Sequence, residues 1–336
     1  MEKQNIVVVG SSAGGVMALK ELVSSFPKNF EASICIVQHL AADANSQLPS
    51  ILSAAGSLPA VNPKDGQKLQ PGHIYIAPAD RHMILFDEQI LVKKGPKENR
   101  FRPSIDVLMR SAAIEYGPRV IGVVLTGRLS DGTSGLWSVR EMGGITITQS
   151  PQEALYPQMP QSVLDTFEVD YVLPIAEIGA LIVRLVNKQP NDSHAELNEQ
   201  QKKQLHIETE IAAQRYAFDS GIREMGQKTD YTCPECGGAL VGIKEGCGMR
   251  YRCHTGHGFS AQSLMTDIVE VTEINVWSAL RSVEEGIMLM EQSATQAHTT
   301  GQPGLAEDFS QKSQQLRAKS KLLLDFLYDN KNPDTV

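Results

Sequence analysis

The chain has 336 residues, 41% hydrophobic and 21% charged, a length beyond what one compact core serves, so two or more domains are expected. A formal net charge of -8 gives no global support for neutralising a nucleic-acid backbone and excludes DNA or RNA as the expected partner. The start "MEKQNIVVVG" lacks the apolar region and cleavage site of a secretory signal, and no apolar run reaches the roughly 18 residues of a membrane span, so a cytoplasmic protein without membrane insertion is expected.

In chain order, "NIVVVG", "ASICIVQH", "GHIYIAP", "RVIGVVLTG" and "GGITITQS" are apolar, β-branched runs that read as buried strands. "GGVMALKELVSSF", "SQLPSILSAAG", "SIDVLMRSAAIEYG" and "GTSGLWSVREMG" read as helices between most of them. Strands alternating with helices predict an α/β class, a doubly wound and mainly parallel sheet over residues 1–186. "RHMILFDE" followed by "QILVKKGP" adds a β-hairpin element. From "NKQPNDSHAELNEQQKKQ" the chain turns polar, and residues 187–228 read as a linker and a helix. Residues 229–260 form a short Cys/Gly-rich module. Residues 261–330 carry two helical patterns broken at "TTGQPG", a C-terminal helical hairpin. Its apolar stripe is Trp277, Leu280, Val283, Ile287 and Met290, either core packing or a surface for a partner or for self-association.

The first strand runs into "GSSAGG". Glycine at positions 10, 14 and 15 does not make G-x-G-x-x-G, and the Gly-Lys-Ser/Thr of a phosphate loop is absent, which disfavours nucleotide binding. Ser12 is either a helix-capping serine or a nucleophile held on a tight strand-to-helix turn, with free N–H groups at the helix start for a developing oxyanion. A serine nucleophile needs a base and a carboxylate to orient it. His39 ends the second strand and Asp131 follows a later one, so a parallel sheet brings both to the edge that holds Ser12. Taken singly, each is equally readable as a surface histidine or a turn aspartate.

Together "GSSAGG", "VQH", "LQPGHIYIAP", "RPSIDVLMRSAA", "VVLTG" with "DGTSGL", and "EALYPQMPQSVL" resemble, in order, the CheB-type protein-glutamate methylesterases of bacterial chemotaxis. The resemblance covers residues 5–186. It implies a methylesterase catalytic domain in which Ser12 is the nucleophile, His39 the base and Asp131 its orienting carboxylate. It further implies hydrolysis of glutamate γ-methyl esters on chemoreceptor helices or related signalling proteins, with deamidation of glutamines, and no cofactor for catalysis. Three departures stand out. Family members with the full chemotaxis layout carry an amino-terminal receiver domain, whereas here the esterase pattern starts within a few residues of Met1, so phosphorylation control in cis is expected to be missing. The motif that usually reads T-G-M-G-x-D-G is "TGRLSDG" here, which puts Arg128 and Leu129 where methionine and glycine are common near the oxyanion site and bears on substrate preference. Ser11 stands where a small residue is usual. "RPS" (residues 102–104) and "YPQMP" shape the mouth of the site or are turn and packing elements. The rival class is a non-catalytic, esterase-like adaptor.

"YTCPECGGALVGIKEGCGMRYRCHTGHGFS" opens with Cys-x2-Cys, a zinc-knuckle spacing. Cys233, Cys236, Cys253 and His257 are the expected ligands of a structural zinc, with Cys247 and His254 as competitors for the second half-site. Distance along the chain leads to the expectation that this zinc is separate from the ester chemistry.

Overall fold

The computed structural model describes residues 5–41, 46–187, 199–214, 221–245 and 248–329. They divide into two units, Met1–Leu264 and Met265–Val336. In the first, β1 (Ile6–Ser11), α1 (Gly15–Ser24), β2 (Ser33–Gln38), α2 (Leu48–Ala55), β3 (Ala60–Val61), β4 (Gln67–Lys68), β5 (Ile74–Ile76), β6 (His82–Phe86) and β7 (Gln89–Lys93) follow one another. Next come α3 (Ile105–Tyr116), β8 (Val120–Val124), α4 (Thr133–Glu141), β9 (Ile145–Gln149), α5 (Gln158–Thr166), β10 (Tyr171–Leu173), α6 (Ile175–Val186) and α7 (Glu199–Ala212). Strands pair in the order β10-β9-β8-β1-β2-β5-β3, and every pairing in that sheet is parallel.

Alternation along β1 explains its unbroken apolar run. Val7 and Val9 enter a core with helices α1, α2 and α6, while Ile6 and Val8 enter a second core with α3, α4 and α5. A parallel sheet covered on both faces needs apolar side chains on both. The expected hairpin exists as β6 and β7, but these pair antiparallel with β4 in a separate three-stranded sheet. Two helices go beyond the sequence reading. α5 begins inside "YPQMP", where Pro157 and Pro160 fall at its entry and first turn, positions that lose no helical hydrogen bond. α6 packs Ile178, Leu181, Ile182 and Leu185 onto the first core.

The Cys-rich stretch is a four-stranded antiparallel sheet of β11 (Gln227–Thr232), β12 (Ala239–Glu245), β13 (Gly248–Cys253) and β14 (Gly258–Ser260). It belongs to the same unit as the large sheet. β14 runs beside residues 97–99: the Asn99 N–H donates to the Gly258 carbonyl (2.8 Å), and the Gly258 N–H donates to the Lys97 carbonyl (3.1 Å). Beneath this seam lies a buried charge cluster. Arg252 contacts Glu98 (2.7 Å) and Glu208 of α7 (2.9 Å), Arg110 of α3 contacts both (3.2 Å each), and Arg250 pairs with Glu208. Burial opposes the Glu208 charge, but Arg110, Arg250 and Arg252 outweigh it and hold the carboxyl below its ordinary range. Glu208→Ala leaves buried guanidinium groups short of a partner and is expected to cost about 3–5 kcal/mol, read as a lower urea midpoint for the unit.

The second unit holds most of α8 (Ala261–Thr299) and α9 (Pro303–Asp329). The Glu291 carboxylate accepts hydrogen bonds from Ser313 Oγ (3.0 Å) and Arg317 Nε (3.1 Å), joining the two helices as a hairpin. Of the expected stripe, Leu280 and Ile287 are buried, Val283 and Met290 half-buried, and Trp277 is 41% exposed with its indole N–H on Glu273. Trp277 therefore lies off the packed seam, since the one-turn spacing that aligns it with Leu280 does not keep it there in this helix. Among the described residues no helix is long and apolar enough to cross a membrane.

Candidate active site

The carboxyl ends of β1, β2 and β8 meet at one edge of the parallel sheet. Gly14 occupies the left-handed region (φ 75°), and Gly15 sits where any side chain would collide with Gln38 Oε1 and Ser11. The chain turns from β1 into α1 only because these two lack a Cβ. Ser11 is fully buried and donates to Gln38 Oε1 (2.8 Å), while half-buried Ser12 faces the edge. Thr126 Oγ1 donates to the Ala13 carbonyl (3.1 Å) and steadies the turn. The Ala13 and Gly14 N–H groups, just before α1, take no acceptor among the described residues.

His39 follows β2 and links the three residues named from the sequence. Its Nδ1 lies 3.2 Å from Ser12 Oγ and its Nε2 2.8 Å from Asp131 Oδ2. The imidazole stacks on Phe101, with ring centroids 3.6 Å apart and planes 12° apart. Asp131, fully buried, takes further hydrogen bonds from the Ile105 N–H (2.7 Å), Ser104 Oγ (2.8 Å) and Asn99 Nδ2 (3.0 Å). Burial disfavours its charge, but the hydrogen bonds from His39, Asn99 and the Ile105 backbone overcome this and keep the carboxyl below its usual range. The neighbouring Asp106 goes the other way. Burial first and the Asp131 charge second push it up to about 8.

Of the two motifs read as mouth elements, "RPS" divides its roles: Ser104 donates to Asp131, whereas Arg102 holds Asp80 (2.6 Å). In "YPQMP", Arg128 lies over the Tyr156 ring (5.0 Å) and Met159 is buried. Leu129 has φ 64°, a left-handed conformation that costs an L-residue with a Cβ about 1–2 kcal/mol. Leu129→Gly is expected to raise stability by up to about 1 kcal/mol, measured by thermal unfolding. Asn99, Phe101 and Asp106 escaped the sequence reading. Only the adjacency of "ENRF" to "RPSID" hinted at them.

In the small sheet, Cys233, Cys236, Cys253 and His257 place one ligand atom each within 4.8 Å of one another. Cys236 Sγ is 3.8 Å from Cys253 Sγ, and His257 Nδ1 is 3.7 and 3.6 Å from the sulfurs of Cys233 and Cys253. A tetrahedron with metal–sulfur bonds of about 2.3 Å has edges of about 3.8 Å, so the donors fit a closed Cys3His zinc site. The hydrogen bond between Cys233 and Cys253 lowers the pKa of the Cys253 thiol and raises that of Cys233. His254 lies outside this group, over Gly238. Cys247 is outside the described residues.

The expected separation of this module from the ester chemistry does not hold in space. The Ser260 N–H (2.8 Å) and Ser263 Oγ (3.2 Å) both donate to Asn99 Oδ1, and Asn99 in turn donates to Asp131. Sequence distance misled because the chain returns by β14 to the same sheet edge.

A parallel sheet edge with a serine, a histidine and a buried carboxylate in hydrogen-bonding sequence has the layout of a serine hydrolase. The chain belongs to the CheB methylesterase family, whose model matches residues 7–182. A relative from Leptospira interrogans is 36% identical over 180 residues, 53% of this chain and 93% of the relative. The protein-glutamate methylesterase/protein-glutamine glutaminase of Thermotoga maritima is 36% identical over 185 residues, 54% of each chain. The crystal structure of the Thermotoga maritima CheB methylesterase catalytic domain is similar with a TM-score of 0.53 and 34% identity, covering 55% of this chain and 99% of that one.

Proposed function

We propose that this protein is a serine esterase that hydrolyses glutamate γ-methyl esters, and deamidates glutamines, on helices of chemoreceptors or related signalling proteins. The observation that carries the chemistry is His39 bridging Ser12 Oγ and the Asp131 carboxyl; the names of the relatives support the substrate. His39 Nδ1 takes the Ser12 proton as Oγ attacks the ester carbonyl. The Ala13 and Gly14 N–H groups face the oxyanion. Collapse of the tetrahedral intermediate transfers the proton from His39 to the departing oxygen, giving methanol and a glutamyl ester of Ser12. Water, deprotonated by His39, then cleaves that ester and leaves the glutamate carboxylate and free Ser12. With glutamine the first product is ammonia. Asp131 keeps its charge throughout and stabilises the imidazolium.

In the same reading, Cys233, Cys236, Cys253 and His257 hold a structural zinc that ties β13 to the knuckle. Four protein ligands leave no position for a catalytic water. The test is methanol release from a methylated receptor by the purified protein, with Ser12→Ala as control; release by wild type and not by the variant is the expected result, and release by neither sinks the reading.

A further inference from the structure

We propose that the metal module is an intramolecular clamp that makes the Ser12, His39 and Asp131 group competent, so that esterase activity depends on the metal although no metal touches substrate. The proposal rests on the esterase reading above.

The path is short. His257, a metal ligand, immediately precedes Gly258, and the Cys253 N–H donates to the His257 carbonyl (3.0 Å), so the metal pins the turn between β13 and β14. Gly258 pairs with Lys97 and Asn99 through two backbone hydrogen bonds (3.1 and 2.8 Å). The loop so held carries both Asn99, on Asp131, and Phe101, stacked on His39. Asn99 is the positioning residue. Its Nδ2 donates to Asp106 Oδ2 (2.7 Å) and Asp131 Oδ1 (3.0 Å), while its Oδ1 accepts from the Ser260 N–H and Ser263 Oγ.

The two donors from the module decide which way the amide points. An amide turned over would set its oxygen against the Asp131 carboxylate and leave both serine donors facing an NH2 group. With the module in place only one orientation is satisfied, and it delivers a donor to the carboxylate that orients His39. Ser130, the chain neighbour of Asp131, has its Oγ 2.8 Å from Ser260 Oγ. The module thus meets the aspartate's surroundings at both Asn99 and Ser130.

The experiment uses the full chain, stripped of metal with a chelator and reloaded with zinc, on methylated receptor. Stripping is expected to lower kcat about 10–100-fold, the range for loss of a hydrogen bond to a charged group, with KM unchanged. Asn99→Ala is expected to show a comparable drop when loaded and a smaller further drop on stripping than wild type shows, because the two changes share the Asn99 interaction. Hydrogen exchange supplies a readout apart from activity: stripping should deprotect residues 97–101 together with 248–260. If Asn99→Ala does not fold, Ser263→Ala, which removes one of the two donors to Asn99 Oδ1, should lower kcat several-fold with KM unchanged. Metal-free protein with unchanged kcat and with residues 97–101 still protected overturns the clamp. If loaded wild type releases no methanol, the esterase reading fails, and the exchange result alone decides the clamp.

Discussion

Ser12→Ala and His39→Ala are each expected to lower turnover by about four to six orders of magnitude, and the double variant by no more than either alone, because the members of such a group act as a unit. Asp131→Asn should cost less, about 10⁴-fold at most, since Ser12 and His39 remain in contact and only the orientation and charge behind the imidazole are lost. Ser11→Ala is the informative control. Its hydroxyl is buried against Gln38 and faces away from His39, so turnover should stay within a few-fold while stability falls by about 1 kcal/mol for the lost hydrogen bond. Steady-state methanol release, with circular dichroism to verify folding, reads all five. Normal turnover in Ser12→Ala with loss in Ser11→Ala would place the nucleophile one residue earlier.

The second large effect is on the metal. Purified protein is expected to hold about one zinc per chain, and Cys236→Ser to lose it, because a Cys3His site stripped of one thiolate loses much of a binding free energy of about 10–16 kcal/mol. Cys247→Ser should keep the metal in full. Among the described residues the small sheet's buried apolar cluster is Cys233, Leu240, Cys253, Phe259 and Leu264, with Ile243 and Val241 also buried, a small core for residues 229–260 without the metal. Metal loss should therefore appear as exchange of the β12 and β13 amides before the large sheet unfolds. Elemental analysis of the three proteins decides the ligand set: loss of zinc in Cys247→Ser alone would make Cys247 the ligand in place of Cys236.

Much of the large domain was legible from residue order. Continuous β-branched runs can be satisfied only between two apolar layers, so "IVVVGS" and "SICIVQ" read as buried parallel strands. Such a sheet delivers the residues after its strands to one edge, which is why Ser12, His39 and Asp131 could be named together. The Cys-x2-Cys knuckle was equally local, two thiolates sharing one turn. Helix α7 was less legible. Its polar composition suggested exposure, yet Glu208 is fully buried because Arg110 and Arg252, remote in sequence, supply its counter-charge.

By itself, then, the sequence determined the alternation of strands and helices that defines the large domain, and it nominated Ser12, His39 and Asp131 at one sheet edge and Cys233, Cys236, Cys253 and His257 as metal-ligand candidates, since strand periodicity and Cys-x2-Cys spacing are local patterns. The tertiary structure alone decided that the Ser11 hydroxyl is taken up by Gln38, that Asn99 and Phe101 stand against Asp131 and His39, and that Ser263 reaches Asn99 across 164 positions. Those outcomes depend on which buried groups find donors, and a polar group's partners are set by the three-dimensional return of the chain, about which local pattern carries no information.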